Sequence, residues 1–464
     1  MPKITFHGAA ETVTGSKYLL ESGESRILVD CGLFQGLKEL RLKNWADLPI
    51  LPSRVDSVVI THAHLDHIGF LPRLVRQGFG GTIYCTPATA ELARIILLDA
   101  AKIQEADADY ANRKHFSKHH PALPLFDTDD AQRAIKRLEK ISLNKWFSPA
   151  RNIECRYHDA GHLLGSTMVE VKVTDEGRRP LTILFSGDVG RYDAPLYHDP
   201  TPPPPCDFLV CESTYGDRDH PQTNMLENLA ITVNNAVARG GVILVAAFAI
   251  GRAQQLIYLL ELLGKQGKIP QLPIFLDSPM AVEATEVYCR HAADHDLKEG
   301  KLGPGVFDGP NVHLAKSVEQ SKQINQVDGP AIIIASSGML TGGRILFHLR
   351  RRLPDARNTI LMGGFMAAGT RGRKLLDGAD SIRIHGSDVP ARATIASHPE
   401  LSGHADRSEL MRWLAPLAPP RTVFVTHGEK ASATAFAEEL RVRRGWNAHV
   451  PHLGESINLE PFDL

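Results

Sequence analysis

No two cysteines in this chain form a CxxC pair; the six thiols, Cys31, Cys85, Cys155, Cys206, Cys211 and Cys289, are scattered over 464 residues. That scatter reads as reduced, partly buried thiols in a reducing compartment and argues against them as metal ligands. Long apolar runs are missing too. The longest, Val242 to Ile250, falls far short of the roughly 20 residues needed to cross a bilayer. Met1 to His7 carries neither an apolar core nor a cleavage site, so no signal peptide is expected and the cytoplasm is the expected location. Charge of one sign is also lacking. A net charge of −1 excludes a protein that coats nucleic acid by bulk electrostatics, but it leaves room for a local basic groove. Ten Arg and Lys between Arg344 and Arg392 stand against only Asp355, Asp377, Asp380 and Asp388, enough to hold a polyanion there. No repeat and no low-complexity tract appears.

What is present is ordinary globular material, 43% hydrophobic and 23% charged, in a chain too long for one core; two domains are expected. Up to about residue 214 short β segments dominate, at Lys3–His7, Lys17–Glu21, Arg26–Asp30, Ser57–Thr61, Thr82–Thr86, Ile153–His158, Met168–Val173, Leu181–Ser186 and Phe208–Glu212. Helices are expected at Ala88–Asn112 and Asp129–Ile141, the second capped by Thr128 and Asp129. Two β-rich blocks flanked by helices suggest a sandwich of sheets with helices outside. After the stiff Thr201–Pro205 segment the pattern changes, and from about 222 helices alternate with β-branched runs at Val242–Phe248, Ile274–Asp277, Val312–Leu314, Ala331–Ala335 and Thr359–Met362. Such alternation means βαβ units around a parallel sheet. The last part returns to sheet at Thr422–Thr426, between helices Arg407–Ala415 and Ser432–Arg443.

The chemistry concentrates in His62-Ala63-His64-Leu65-Asp66-His67, directly after the apolar run Val58–Ile60. An extended chain puts residues i and i+2 on one side, so a strand ending in His62 and His64 aims both rings at one point. Asp66 and His67, beyond the turn, reach a second point a few ångströms away. Imidazole and carboxylate without thiolate suit Zn²⁺ best, with Mn²⁺ or Fe²⁺ compatible. Other chemistry-bearing residues also end or follow strands: Asp30, His162 in Ala160–Ser166, Asp188 in Phe185–Gly190, Glu212 in Cys211-Glu212-Ser213-Thr214, and His427 in Thr426-His427-Gly428-Glu429, while His404 lies in Leu401-Ser402-Gly403-His404-Ala405-Asp406. His7, His313, His348 and His385 fit no such pattern and read as structural.

Taken together these motifs resemble the metallo-β-lactamase superfamily and, within it, the β-CASP nucleases. The resemblance implies an αββα sandwich, residues 1–214 and 397–464, interrupted by an inserted parallel-sheet α/β domain at 215–396. It implies that His62, His64 and His162 hold one zinc, that Asp66, His67 and His427 hold the other, and that Asp188 bridges them. Asp30 then orients the loop ligands. Two metals ~3.5–4 Å apart acidify a shared water and clamp the oxygens of an in-line displacement, so a phosphodiester is the simplest substrate. Asp66 and Asp188 serve catalysis through the metals, and His404, kept protonated by Glu212, is the expected general acid.

Small residues in Ser336-Ser337-Gly338-Met339-Leu340-Thr341-Gly342-Gly343-Arg344 resemble the family's RNA-facing segment. Ser336, Ser337, Gly338, Thr341, Gly342, Gly343 and Arg344, with Ser402 and Gly403, are the expected phosphate contacts. Phe248–Gln254 and Gly364–Thr370 share the strand-turn-helix setting. In this family a final His, here His427, marks RNA-cleaving members, so the expectation is a two-zinc ribonuclease. It would leave 5′-phosphate and 3′-hydroxyl ends, cutting internally with 5′-exonuclease activity also open. RNA is the expected partner, a homodimer is left open, and no membrane is involved. The alternatives are a DNA nuclease of the same family, a non-catalytic RNA-binding scaffold, which would have lost ligands, and a small-molecule hydrolase, for which the insert and the Glu212/His404 pair have no purpose.

Overall fold

Short, mostly buried β segments build two seven-stranded sheets in a computed structural model that describes all residues except 116, 118, 176–178, 222, 296–303, 365 and 461–464. Phe365 of the Gly364–Thr370 turn thus lies outside the described residues. The first sheet runs in the order Ser456–Asn458, Lys3–Phe6, Tyr18–Ser22, Ser25–Val29, Ser57–Val59, Thr82–Cys85, Leu138–Lys140. The second runs Ala448–His449, Thr422–Thr426, Phe208–Glu212, Leu181–Phe185, Thr167–Val173, Ile153–Asp159, Trp146–Ala150. Their inner faces meet in one core, where Ile4, Phe6, Leu20 and Val29 of the first sheet join Tyr157, Val171, Phe185 and Phe424 of the second. The far side of the second sheet is closed by Trp413 and Phe436 of helices Arg407–Trp413 and Lys430–Arg444. This is the αββα sandwich, and it forms a unit of Met1–Tyr192, Asp199–Asp219 and His404–Leu464.

Asp193–His198 and His220–Gly403 form the other unit. Its six-stranded sheet is all parallel, in the order Val312–Leu314, Ile274–Asp277, Ala331–Ala335, Val242–Ala246, Thr359–Gly363, Thr394–His398, and Ser381–Ile384 with Ser387–Pro390 form a separate antiparallel hairpin. Every residue of Val242–Ala246, Ala331–Ala335 and Thr359–Gly363 is buried, as expected where helices cover both faces. The units change over later than the expected 214/215 and 396/397. Residues Thr394–His398 pair with Thr359–Gly363 along their whole length and hold the chain in the second unit past 397. No described helix is long and apolar enough to cross a membrane.

Three local expectations are corrected. The helix expected at Asp129–Ile141 spans Thr128–Ile135, and its cap is Asp127, whose carboxylate accepts from Asp130 N at 2.8 Å. Leu138–Lys140 instead pairs in parallel with Thr82–Cys85, so ladder bonds replace helical ones. The strand before the His-rich run ends at Val59, which places His62 and His64 on a loop rather than on an extended strand end. Finally, Arg344 is not presented for a phosphate. Its guanidinium donates to Asp277 Oδ1 at 2.7 Å and to the carbonyls of Ala315 and Lys316.

Asp277, fully buried at the end of its strand, also accepts from Ser321 Oγ and lies 2.6 Å from His348 Nε2. His348, read as structural, is so. Removing the carboxylate would strand a buried imidazole and a half-buried guanidinium, and breaking such a buried pair costs about 3 kcal/mol or more. Asp277→Ala should therefore lower the unfolding free energy of the unit that contains it by that amount, read from chemical denaturation, while Asp277→Asn, which keeps an acceptor, should lose less.

Candidate metal centre

The loop that carries the His-rich run is shaped by backbone bonds to its neighbours before any side chain is considered. Ser16 N donates to Asp66 O at 2.9 Å, Cys31 N to His67 O at 2.7 Å and Leu33 N to Leu65 O at 3.1 Å. Leu65–Ile68 closes into one helical turn with His64 at its N-cap. Gly32 lies so close beneath this turn that a Cβ there would overlap the Asp66 carbonyl and the His67 amide. Glycine is required at that position by close approach rather than by φ.

The side chains then converge in two clusters. Ligand atoms of His62, His64, His162 and Asp188 lie within 4.8 Å of one another, and so do those of Asp66, His67 and His427. Asp188 reaches both groups, with Oδ2 3.3 Å from His62 Nε2 and Oδ1 3.4 Å from both His67 Nε2 and His427 Nδ1. Ring nitrogens face each other at 3.1 Å between His62 and His64, 3.3 Å between His162 and His64, and 3.2 Å between His67 and His427. Lone pairs that close repel unless a proton or a cation lies between them.

Burial pushes the imidazoles of His62 and His64 down to about 3, and the neighbouring rings of His67 and His162 push the same way. Those rings are therefore neutral and offer lone pairs. Burial would also lower His67, but Asp188 and Asp30 outweigh it and hold that ring well above its usual range. Burial would raise Asp66 and Asp188, yet the surrounding histidines keep both carboxylates below the usual range. Asp188 Oδ1 is buried without a hydrogen-bond partner. An orphaned carboxylate oxygen, neutral imidazoles and only oxygen and nitrogen donors make a set that fits two borderline divalent cations, Zn²⁺ above all.

Behind the clusters a layer of hydroxyls and carboxylates fixes the rings. Asp30 accepts from Thr61 N at 2.8 Å and from the Thr61 hydroxyl at 2.8 Å, and its Oδ2 lies 2.7 Å from His67 Nδ1. Nε2 of His67 is thereby aimed into the cluster, the carboxylate–histidine arrangement of metal sites. Thr61 Oγ1 also sits 3.0 Å from His62 Nδ1, and Thr214 Oγ1 sits 3.2 Å from His427 Nδ1. Thr61, directly before the His-rich run, and Thr214, the last residue of the Cys211–Thr214 motif, have no role legible in the sequence; which hydroxyl faces a ring becomes visible only in the fold.

Glu212, His404 and Asp188 form a third group. Glu212 is buried and accepts from Val189 N at 2.7 Å and Thr214 N at 3.2 Å, with His404 Nδ1 at 3.2 Å from Oε1. The segment carrying His404 is stitched to the Asp188 loop by Ala405 N donating to Val189 O at 2.8 Å and by a Gly190–His404 bridge. His404 Nε2 thus lies 4.0 Å from Asp188 Oδ2. Burial disfavours its charge, but Glu212 and Asp188 more than reverse this and push its pKa up to about 9. An imidazolium held by Nδ1–H with Nε2–H directed to the centre can donate a proton there.

The remaining predicted residues belong to the second unit. In the Ser336–Arg344 turn the amides of Leu340, Thr341 and Gly342 are spent internally, on Ser337 O and Ser337 Oγ, and Arg344 is tied to Asp277. The expectation that this turn offers those amides and that guanidinium to an anion is corrected accordingly.

Replacing Gly32 should be felt at the metals. Gly32→Ala is expected to displace the Asp66–His67 peptide and cut bound zinc to half or less by atomic absorption; full stoichiometry would contradict the close-approach argument.

Sequence comparisons agree with this geometry. The profile of the metallo-β-lactamase superfamily matches residues 12–214, that of the Beta-Casp domain residues 253–375, and that of the Zn-dependent metallo-hydrolase RNA specificity domain residues 388–451. Ribonuclease TTHA0252 of Thermus thermophilus is 35% identical over 459 residues, 98% of this chain and 99% of that protein. Transcription termination factor FttA of Thermococcus kodakarensis is 31% identical, covering 99% of this chain and 71% of that one. A protein of unknown function from Enterococcus faecalis V583 shares the fold with a TM-score of 0.53 at 13% identity, over 99% of this chain and 100% of that one. The chain belongs to the β-CASP family of the metallo-β-lactamase superfamily, and so to the metal-dependent hydrolases.

Proposed function

We propose that this protein is a two-zinc ribonuclease that cuts RNA internally and leaves 5′-phosphate and 3′-hydroxyl ends. One observation carries the reading: two clusters of imidazole and carboxylate share Asp188, and a protonated imidazole, His404, stands 4.0 Å from that shared carboxylate. A thioester hydrolase expels a thiolate, which leaves without a proton donor, whereas a phosphodiesterase expels an alkoxide, which needs one. The RNA assignment draws on the RNA specificity domain and on the name of the Thermus relative.

Zinc bound at the two clusters supplies Lewis acidity to the phosphoryl oxygens and lowers the pKa of water. The protein's part is orientation and proton delivery. His62, His64 and His162 would hold one ion, Asp66, His67 and His427 the other, and Asp188 both. Asp30 and Thr61 keep the His62 and His67 rings turned inward. As the P–O3′ bond breaks, His404 Nε2–H protonates the departing 3′-oxygen, and Glu212 holds the ring by Nδ1 and stabilises the charge it carries beforehand. Ser402 and Gly403, which lead directly into His404, are proposed to line the RNA backbone with Ser336, Ser337, Gly338 and Gly343.

Incubation of 5′-labelled RNA with zinc-loaded and chelated protein tests the activity, and sequencing-gel mobility reads the end groups. His404→Ala should retain both zinc ions and lose cleavage by about 10²-fold or more; undiminished cleavage would remove its role as the acid. Asp66→Ala should lose metal and cleavage together. His427→Ala should bind about one zinc fewer per chain, a result read by metal analysis alone.

A further inference from the structure

Beside the Ser336–Arg344 turn stands an exposed aromatic pair that the chemistry above does not use. Phe347 is 58% exposed, although its neighbours Leu346, His348 and Leu349 in helix Ile345–Arg352 are buried. Its ring centroid lies 4.8 Å from that of His385, tilted by 35°. His385, read from sequence as structural, is exposed at the tip of the hairpin between Ser381–Ile384 and Ser387–Pro390. It has φ +47° and is followed by Gly386 at φ +83°. Two successive positive φ values normally select Asn-Gly or Gly-Gly, so an imidazole here is held at a conformational cost with its ring in solvent.

Arg371 fastens this hairpin to the turn. Its Nε donates to Arg383 O at 2.7 Å, and its Nη1 donates to Leu340 O at 3.2 Å and Thr341 O at 3.1 Å. The surroundings are cationic. Arg350 follows Phe347 by three residues and so shares its helix face, and Arg383 precedes His385 by two; both are exposed. Asp388 stands opposite Arg383 in the hairpin register. Flat aromatic rings set in solvent among guanidinium groups fit one ligand chemistry best: flat bases joined by phosphates. Stacking on an aromatic side chain tolerates any base, and the flanking cations take the backbone.

We propose that Phe347 and His385 form a base-stacking subsite for single-stranded RNA, with Arg350 and Arg383 as its phosphate contacts. The proposal rests on the RNA reading above, and it gives the basic tract from Arg344 to Arg392 a use that does not depend on the amides of the neighbouring turn.

The test is steady-state cleavage of a single-stranded oligoribonucleotide by the zinc-loaded full chain. Phe347→Ala should raise KM about tenfold with kcat unchanged, and Phe347→Trp should restore it. A single abasic nucleotide moved along the substrate should raise the wild-type KM by a similar factor at one position and add nothing further in Phe347→Ala. An unchanged KM in Phe347→Ala, or an abasic penalty equal in both proteins, overturns the subsite. A drop in molar mass of Phe347→Ala by light scattering would make the pair a contact between copies and overturn it as well. Wild-type protein that cleaves no RNA would instead fail the RNA reading itself.

Discussion

Burial of three carboxylates at one edge of the sandwich is the constraint from which the rest of the centre follows. Asp30, Asp188 and Glu212 are each at most 2% exposed, and an uncompensated charge so placed costs several kcal/mol. Each is therefore surrounded by donors. Asp30 takes the Thr61 amide and hydroxyl, and Glu212 takes two amides. Both also face a histidine ring nitrogen. Asp188 alone keeps an oxygen with no hydrogen-bond partner among these three, and that oxygen faces ring nitrogens of His67 and His427. The hydrogen bonding is complete where charge is compensated by protein and incomplete where a cation belongs.

The same rule operates in the second unit with a different result. Asp277 is as deeply buried, but Ser321, Arg344 and His348 supply its donors from within the protein. A strand-end Asp beside a His is thus a candidate metal ligand in one place and a structural tie in another. The difference lies in whether a guanidinium closes on the carboxylate or imidazoles alone surround it. That is why Arg344 could not be assigned from sequence. Its setting after a glycine-rich turn resembled a phosphate site, while its partner lay 67 residues earlier on another strand.

What could be read from sequence was what is local. His62 to His67 declares its chemistry because the ligands are contiguous, and strands such as Phe208–Glu212 and Thr422–Thr426 have the expected bounds because both faces are buried. Whatever depended on a partner elsewhere was hidden. The helix from Thr128 stops at Ile135 because Leu138–Lys140 finds a sheet edge. Thr61 and Thr214 acquire their roles from Asp30 and His427 across strand pairs. Phe347 and His385 meet only through the hairpin fold.

Strand direction explains why residues from 30 to 427 reach one place. Ile153–Asp159 and Leu181–Phe185 each run antiparallel to Thr167–Val173, so they run parallel to one another, and Phe208–Glu212 and Thr422–Thr426 follow in the same sense. Their carboxyl ends, carrying His162, Asp188, Glu212 and His427, therefore share one sheet edge. In the other sheet Ser25–Val29 and Ser57–Val59 are parallel and end before Asp30 and the His-rich loop. Register completes the alignment: Glu212 stands opposite Thr426, so His427 emerges one residue beyond the carboxylate that positions His404. A chain that ran these strands as simple antiparallel hairpins would alternate its carboxyl ends between two edges and split the ligands between them. Parallel pairing gathers them at one, and the connections it requires are long enough to admit an inserted α/β domain between Glu212 and His404.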